Sequence, residues 1–231
     1  DKSHAVYGLA KSFASKKSKM ACMEVENKLF KEQGIDYVLG TDDSGNGCIA
    51  GPVIVATCAI LIPSTPPILG VFDGKKITPE DRWRIYKTIK AQPDTYAYTV
   101  ASAKHIDIDK TDVQQATKIA MQYSIQQIIT KYNLPIQKSY SIVDGHKRPP
   151  LDIPLTCRPW IKADSNVYTV ALASIIAQVE HEKYMKYAHD LYPQYGFNEH
   201  KGYSRPNHIQ AIHKYGASPI HRMSSKPLKG R

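Results

Sequence analysis

The sequence predicts a layered α/β fold, and three observations carry that expectation. Short β-branched runs alternate with helical patterns from Tyr37 to Tyr215, the order that a sheet covered by helices requires. The long helical pattern Tyr168–His189 carries Ala171, Ala173, Ser174 and Ala177 on one side, so it can pack closely on a sheet. No internal repeat or linker interrupts residues 35–222. The chain therefore divides into a basic N-terminal extension with a short helix, residues 1–34, and one domain with a C-terminal helical tail, residues 35–231.

The elements follow in order. Residues 2–20 are rich in Lys and Ser and hold no acid, which fits a disordered basic arm or the remnant beside an organellar transit peptide. The chain opens on Asp1 rather than Met, which favours processing. A short helix is expected over residues 21–33, stopped by Gly34. Tyr37–Asp42 reads as a strand ending in acids, Gly45 and Gly47 as a tight turn, and Gly51–Ile62 as a long buried strand. Strands joined so closely predict an antiparallel hairpin. After the Pro/Gly-rich loop 63–74, Thr78 is an N-cap candidate and Pro79 suits the first helical position of a helix running to Lys90. Thr95–Ala103 alternates as a strand does, and Asp112–Tyr132 reads as an amphipathic helix with Val113, Ala116, Ala120, Ile125 and Ile128 near helical spacing. Ser139–Val143 is a short strand ending at Asp144, and Leu155–Ile161 is a further strand. A last helix is expected over Pro206–Tyr215.

Composition narrows the class. The chain has 231 residues, 42% of them apolar, enough to bury a proper core. Its longest apolar stretch, Gly51–Pro63, is too short to span a bilayer, and no secretory apolar region is visible, so a soluble, non-secreted protein is expected. The formal charge is +10 and the isoelectric point about 9.3. A basic surplus of this size suits a polyanionic partner, because bound Lys and Arg release counterions from phosphates. Cys22, Cys48, Cys58 and Cys157 form no CxxC pair and no zinc spacing. They point to a reducing, intracellular compartment, and the acid-free basic start without Met places an organelle (mitochondrion or plastid) slightly ahead of the cytoplasm.

Asp42, Asp43, Asp144 and Asp164 all stand at the ends of expected elements. A strand end fixes such a carboxylate while the turning chain leaves it open. Acids gathered there repel one another and raise their own pKa values unless a cation neutralises them. Hard oxygen donors with few His or Cys beside them suit magnesium or manganese rather than zinc. A pair of such ions serves phosphodiester hydrolysis. Taken singly, each acid is also what a turn after a strand ordinarily holds.

The segment Gly40-Thr41-Asp42-Asp43-Ser44-Gly45-Asn46-Gly47-Cys48-Ile49-Ala50-Gly51-Pro52-Val53 resembles the opening motif of the ribonuclease HII family, G-x-D-E-A-G-R-G-x-x-A-G-P-V. The series continues in order through Asp73–Thr78, Val143-Asp144-Gly145, Lys162-Ala163-Asp164, Ala173–Val179, Tyr195–Tyr203 and Ser218–Arg222. The resemblance implies a ribonuclease H-like fold, a mixed five-stranded sheet flanked by helices with a helical C-terminal part. It implies a metal-dependent endonuclease that cuts RNA in RNA/DNA hybrids or at ribonucleotides embedded in duplex DNA, using a two-metal site of Mg2+ or Mn2+. Asp42, Asp43, Asp144 and Asp164 fall on the family's metal-binding carboxylates. Gly45-Asn46-Gly47 falls on the turn whose backbone senses the ribose 2′-hydroxyl, and Tyr203 on the tyrosine that stacks on the sugar. Lys75, Lys76 and Lys201 are the candidate phosphate contacts. His200, His208, His213 and His221 read as packing or surface residues rather than ligands.

The chain departs from the pattern at several positions. Asp43 stands for Glu, one methylene shorter; Asn46 for Arg; Gly74 for Ser; Gln178 for Lys; and His181-Glu182 for Arg-Asp. The partner is nucleic acid, with no membrane, and the enzyme would act as a monomer. The alternative is a weakened or inactive ribonuclease H-like protein serving as an RNA-binding component of a large, organellar ribonucleoprotein such as a ribosome. The retained carboxylates favour the enzyme, because a scaffold gains nothing from clustered acids that repel nucleic acid.

Overall fold

The computed structural model describes residues 23–71 and 77–229. Its elements are α1 (Glu24–Gln33), β1 (Tyr37–Ser44), β2 (Val53–Ile60), α2 (Pro79–Ala91), β3 (Tyr96–Ala103), α3 (His105–Lys110), α4 (Val113–Lys131), β4 (Ser139–Asp144), β5 (Thr156–Trp160), α5 (Tyr168–Leu191), α6 (Phe197–His200) and α7 (Pro206–Tyr215). The strands make one five-stranded sheet in the order β3-β2-β1-β4-β5. The β1–β2 and β2–β3 pairs are antiparallel, whereas β1–β4 and β4–β5 are parallel. The sheet is therefore mixed, as expected.

The pleat of β2 distributes its side chains to two cores. All eight of its residues are buried, the pattern of a strand covered on both faces. Ile54, Ala56, Cys58 and Ile60 pack with Ile85 and Ile89 of α2 and with Leu172 and Ile176 of α5. Val53 and Val55 point the other way, onto Ala116, Ala120 and Met121 of α4. Leu39, Ala59 and Val143 extend that second layer against Ile125 and Ile128 of α4. Each fully buried isoleucine contributes about 1.5–3 kcal/mol relative to an exposed one. Gly40 sets the spacing between β1 and α5, since a Cβ there would lie 2.2 Å from the backbone of Thr169 and Val170.

Local rules account for most of the ends. Thr78 accepts from Asp81 N–H at 3.2 Å and Pro79 opens α2. Asp112 caps α4 by accepting from Gln115 N–H at 2.8 Å. Gly34, at φ +61°, ends α1. The first turn of α5 is capped from a distance. Glu26 of α1, fully buried, accepts from Thr169 N–H at 2.8 Å and from Thr169 Oγ1 at 3.0 Å. Burial raises the Glu26 pKa above the usual range.

Four details differ from the sequence reading. β1 runs on to Ser44, so both Asp42 and Asp43 lie within the strand. β2 starts at Val53, because Gly51 takes φ +81° and leaves the ladder. The turn at Gly45–Cys48 is tight as expected, with Cys48 N–H donating to Gly45 O at 3.1 Å, but segment 45–52 as a whole is an excursion to the C-terminal region, where Cys48 bridges to Tyr203 and Ala50 to His221. The short helix α3 was not anticipated; its six residues are too few to show a period.

Candidate active site

The register of the sheet gathers the acids. Thr41 pairs with Val143 across the parallel β1–β4 ladder, so the next residues, Asp42 and Asp144, lie level at the carboxyl ends of adjacent strands. Asp144 in turn pairs with Trp160 of β5. Shortly after β5 the chain turns back through Lys162, at φ +58°, and Ala163 N–H donates to Asp144 Oδ1 at 2.6 Å. That bond places Asp164, in the single turn Ala163–Ser165, beside Asp144. Carboxyl ends of strands in such sheets are where ligands bind.

The electrostatics are those of acids held together. Asp42 is only 7% exposed. Its Oδ1 accepts from Asp43 N–H at 2.7 Å, and Ser174 of α5 also bonds its carboxylate. Burial, reinforced by the charges of Asp43 and Asp144, drives the Asp42 pKa well above its ordinary value. Asp43 rises from 3.8 to about 6, chiefly by burial, with a hydrogen bond from Asn46 working the other way. Asp144 is raised by burial and by the charge of Asp164. Asp42, Asp43 and Asp144 thus each sense a neighbouring carboxylate, although among the described residues no three His, Cys, Asp or Glu side chains already stand close enough together to hold a metal ion.

The glycine turn lies beside these acids. Gly45 takes φ +89°, and a Cβ there would come within 2.6 Å of His181 Nε2. Arg222, 2% exposed, holds the excursion from within. Its Nη2 donates to Gly45 O at 2.8 Å, Nη1 to Asn46 O at 3.0 Å and Nε to Gly51 O at 2.9 Å. Its own N–H donates to Ile49 O at 2.9 Å. With the carbonyls turned inward, the chain at the exposed Gly47 runs beside Tyr203, whose ring would stand 3.6 Å from a Cβ on Gly47. Tyr203 is 39% exposed and packs edge-on against His181 at 6.5 Å. Burial raises its pKa, helped by the nearby Cys48 and Asp43. Cys48 Sγ donates to Lys201 O at 3.2 Å, and burial pushes that thiol up to about 12.

Of the residues anticipated, Asp42, Asp43, Asp144, Asp164, Gly45, Asn46, Gly47 and Tyr203 fall in this region. Lys201 joins them at φ +52°, directly before Gly202. It also opens a groove of about 720 Å3 lined by Trp83, Lys183, Lys186, Tyr187 and others. Lys75 and Lys76 lie outside the described residues. Sequence reasoning missed Arg222, His181 and Ser174 as parts of the site. Gln178 Nε2 donates to Ser174 Oγ at 3.0 Å, so Gln178 supports Asp42 through that serine.

A mixed five-stranded sheet in this order, with acids ending its central strands, defines the ribonuclease H-like class of fold. Comparison with known proteins agrees. The family model for Ribonuclease HII matches residues 39–227. A ribonuclease HII of Caldanaerobacter subterraneus subsp. tengcongensis is 37% identical over 207 residues, 89% of this chain and 80% of that protein. Among solved structures, the PCNA:RNase HII complex from Archaeoglobus fulgidus contains a chain with a TM-score of 0.65 and 24% identity, covering 82% of this chain and 95% of that one. Bst-RNase HIII in complex with Mn2+ gives a TM-score of 0.64 at 18% identity, covering 84% of this chain and 68% of that one. The chain belongs to the ribonuclease HII family, and it is an endoribonuclease.

Proposed function

We propose that this endoribonuclease requires a divalent cation, Mg2+ or Mn2+, and cuts RNA paired with or joined to DNA, on the 5′ side of a ribonucleotide embedded in a duplex. The observation that carries the reading is the level placement of Asp42 and Asp144 on adjacent strands, with Asp43 and Asp164 next to them.

The donor set fits the cation. It is all carboxylate, which suits a hard ion, and burial and mutual charge make it unfavourable when ionised alone. Asp42, Asp43, Asp144 and Asp164 would hold the ion or pair of ions. A bound divalent cation supplies activation of the attacking water and neutralises charge on the leaving oxygen. Asp42 is kept in one rotamer by Ser174 and the Asp43 amide, and Asp144 is kept by the Ala163 amide. Asp43, with its pKa near 6, holds a proton in mildly acidic solution and must release it to serve as a ligand. Asn46, where the family carries Arg, bonds this shorter carboxylate.

Recognition falls to the other side of the site. A glycine backbone can approach a sugar closely, and the 2′-hydroxyl is what separates RNA from DNA there. The exposed edge of Tyr203 offers a face for that sugar, while Lys201 and Lys186 along the groove suit the phosphates.

The test is a duplex DNA carrying one ribonucleotide, compared with an all-DNA duplex, in Mn2+ and in EDTA. Cleavage is expected only for the first duplex in Mn2+, leaving a 3′-hydroxyl 5′ to the ribonucleotide. A folded protein that leaves it whole at high enzyme concentration would sink the reading. Cation affinity should also fall as pH drops through about 6, where protons compete at Asp43.

A further inference from the structure

Behind Tyr203 lies a set of buried histidines that the reading above does not use. His208 of α7 is 0% exposed and His221 2%. His208 Nδ1 lies 2.8 Å from the carbonyl oxygen of Tyr203. His208 Nε2 lies 3.0 Å from His221 Nε2. His221 Nδ1 in turn receives Ser218 N–H at 2.8 Å, with Ser218 Oγ at 2.7 Å. His200 stacks on His208 with ring centroids 3.9 Å apart, and Phe197 meets the rings of His200, His208 and His221.

Only one arrangement of protons satisfies these contacts. A carbonyl can only accept, so His208 carries its proton on Nδ1 and has a bare Nε2. A backbone N–H can only donate, so His221 Nδ1 is bare and its proton sits on Nε2. That proton lies between the two Nε2 atoms, donated by His221 to His208. Ser218, His221, His208 and the Tyr203 carbonyl thus form one directed chain of hydrogen bonds. His200 is fixed separately: its Nδ1 accepts from Gly202 N–H at 3.2 Å, and its Nε2 donates to Tyr195 O at 2.7 Å.

The chain joins the two segments that grip the glycine turn. Gly202 O accepts from Ile49 N–H at 2.9 Å, and Ile220 O accepts from Gly51 N–H at 2.8 Å. Cys48 bridges to Tyr203 and Ala50 to His221. Segments 200–203 and 218–222 therefore both bind the excursion 45–52, and the two imidazoles fix them relative to each other. We propose that His208 and His221 form a two-imidazole relay that holds Tyr203 in register with Gly45–Gly47, making both histidines positioning residues for recognition of the ribonucleotide. This rests on the reading of Tyr203 as the residue that meets the sugar.

Two measurements test it on the whole chain. The first is nitrogen-15 NMR of the imidazoles in the unaltered protein. It should show His208 protonated on Nδ1 and His221 on Nε2; either histidine in the opposite tautomer overturns the relay. The second is binding of labelled duplexes in EDTA, which keeps them uncut, comparing one embedded ribonucleotide with all-DNA. His208→Phe should lower the preference for the ribonucleotide duplex about tenfold, the scale of one lost hydrogen bond. His208→Asn, which returns an amide donor near Nδ1, should restore it to within about threefold. An unchanged preference in His208→Phe, or equal weakening on both duplexes in both variants, would overturn the positioning role. An unaltered protein that shows no preference would overturn the reading of Tyr203, and the positioning role with it, while the nitrogen signals would report separately on the relay.

Discussion

Asp43 concentrates the tension between stability and chemistry in this protein. Its folded pKa of about 6 stands above the ordinary 3.8. A raised pKa means that the folded state binds protons more tightly than the unfolded chain, so stability falls as pH rises from 3.8 to about 6 and the full cost persists above it. Two units correspond to about 3 kcal/mol, an upper bound at a site that borders solvent. Asp43→Asn should therefore stabilise the cation-free protein at pH 7.5 by about 1–3 kcal/mol in urea titrations, while abolishing cleavage. A destabilised variant would show that the cost of burying the charge is not the dominant effect at this carboxylate. Gly45 is the opposite case. Gly45→Ala meets His181 Nε2 at 2.6 Å and Pro52 O at 2.9 Å from a backbone at φ +89°. The expected cost is about 2–4 kcal/mol, combining backbone strain with overpacking, and a loss near 0.5 kcal/mol in the same titration would mean that the turn yields.

Among the elements, the excursion 45–52 and helix α1 depend on single residues far away in sequence. Arg222 reaches Asn46 across 176 positions and satisfies three inward carbonyls together with Gly45 and Gly51. Arg222→Met keeps the bulk but strips the Asn46 and Gly51 carbonyls of the guanidinium and leaves Gly45 O with the Cys48 N–H alone, at a cost of about 3 kcal/mol or more. Hydrogen exchange should then quicken across residues 45–51 ahead of the sheet; uniform exchange would contradict the clamp. Glu26 ties α1 to the first turn of α5. Glu26→Gln retains an acceptor and should cost little, whereas Glu26→Ala should lose about 1–2 kcal/mol, and equal Tm values for the two would refute the remote cap. These dependencies mark the limit of what a sequence discloses. The cap at Thr78 and the long helix α5 follow from local chemistry, and the carboxylates and Tyr203 from motifs in order. Arg222, His181 and Ser174 were not visible as site residues, because their partners lie on other elements and no periodicity records such a contact. Asp43 within β1, beyond the expected strand end, was hidden because turn-forming residues there mask a ladder that pairing with Val55 sustains.

At the scale of the whole molecule, opposite titrations overlap. The four acids Asp42, Asp43, Asp144 and Glu26 are raised, whereas His181, His208 and His221 are each lowered from 6.5 to about 4, chiefly by burial. A lowered histidine pKa has the reverse sign: unfolded chains take up protons below 6.5 that the folded state refuses, so stability falls from 6.5 towards 4. The two sets oppose each other, and a single pH curve does not separate them. The gap between the parent and His208→Asn/His221→Asn does. It should narrow by a few kcal/mol at most, roughly, as pH falls from 6.5 to 4; a constant gap would show that neither imidazole is held neutral. The same scale governs binding. With a net charge of +10, affinity for any duplex should fall steeply with salt, and Lys186→Ala/Lys201→Ala should flatten the slope of log K against log salt by about one to two phosphates.

The central claim is that four carboxylates at the ends of β1, β4 and β5 form one cation-dependent nuclease site. Anomalous diffraction from crystals soaked in Mn2+ with an uncut ribonucleotide duplex tests it most directly. The account predicts two peaks bounded by Asp42, Asp43, Asp144 and Asp164. Fully occupied peaks elsewhere, or none between these residues at saturating Mn2+, would contradict it.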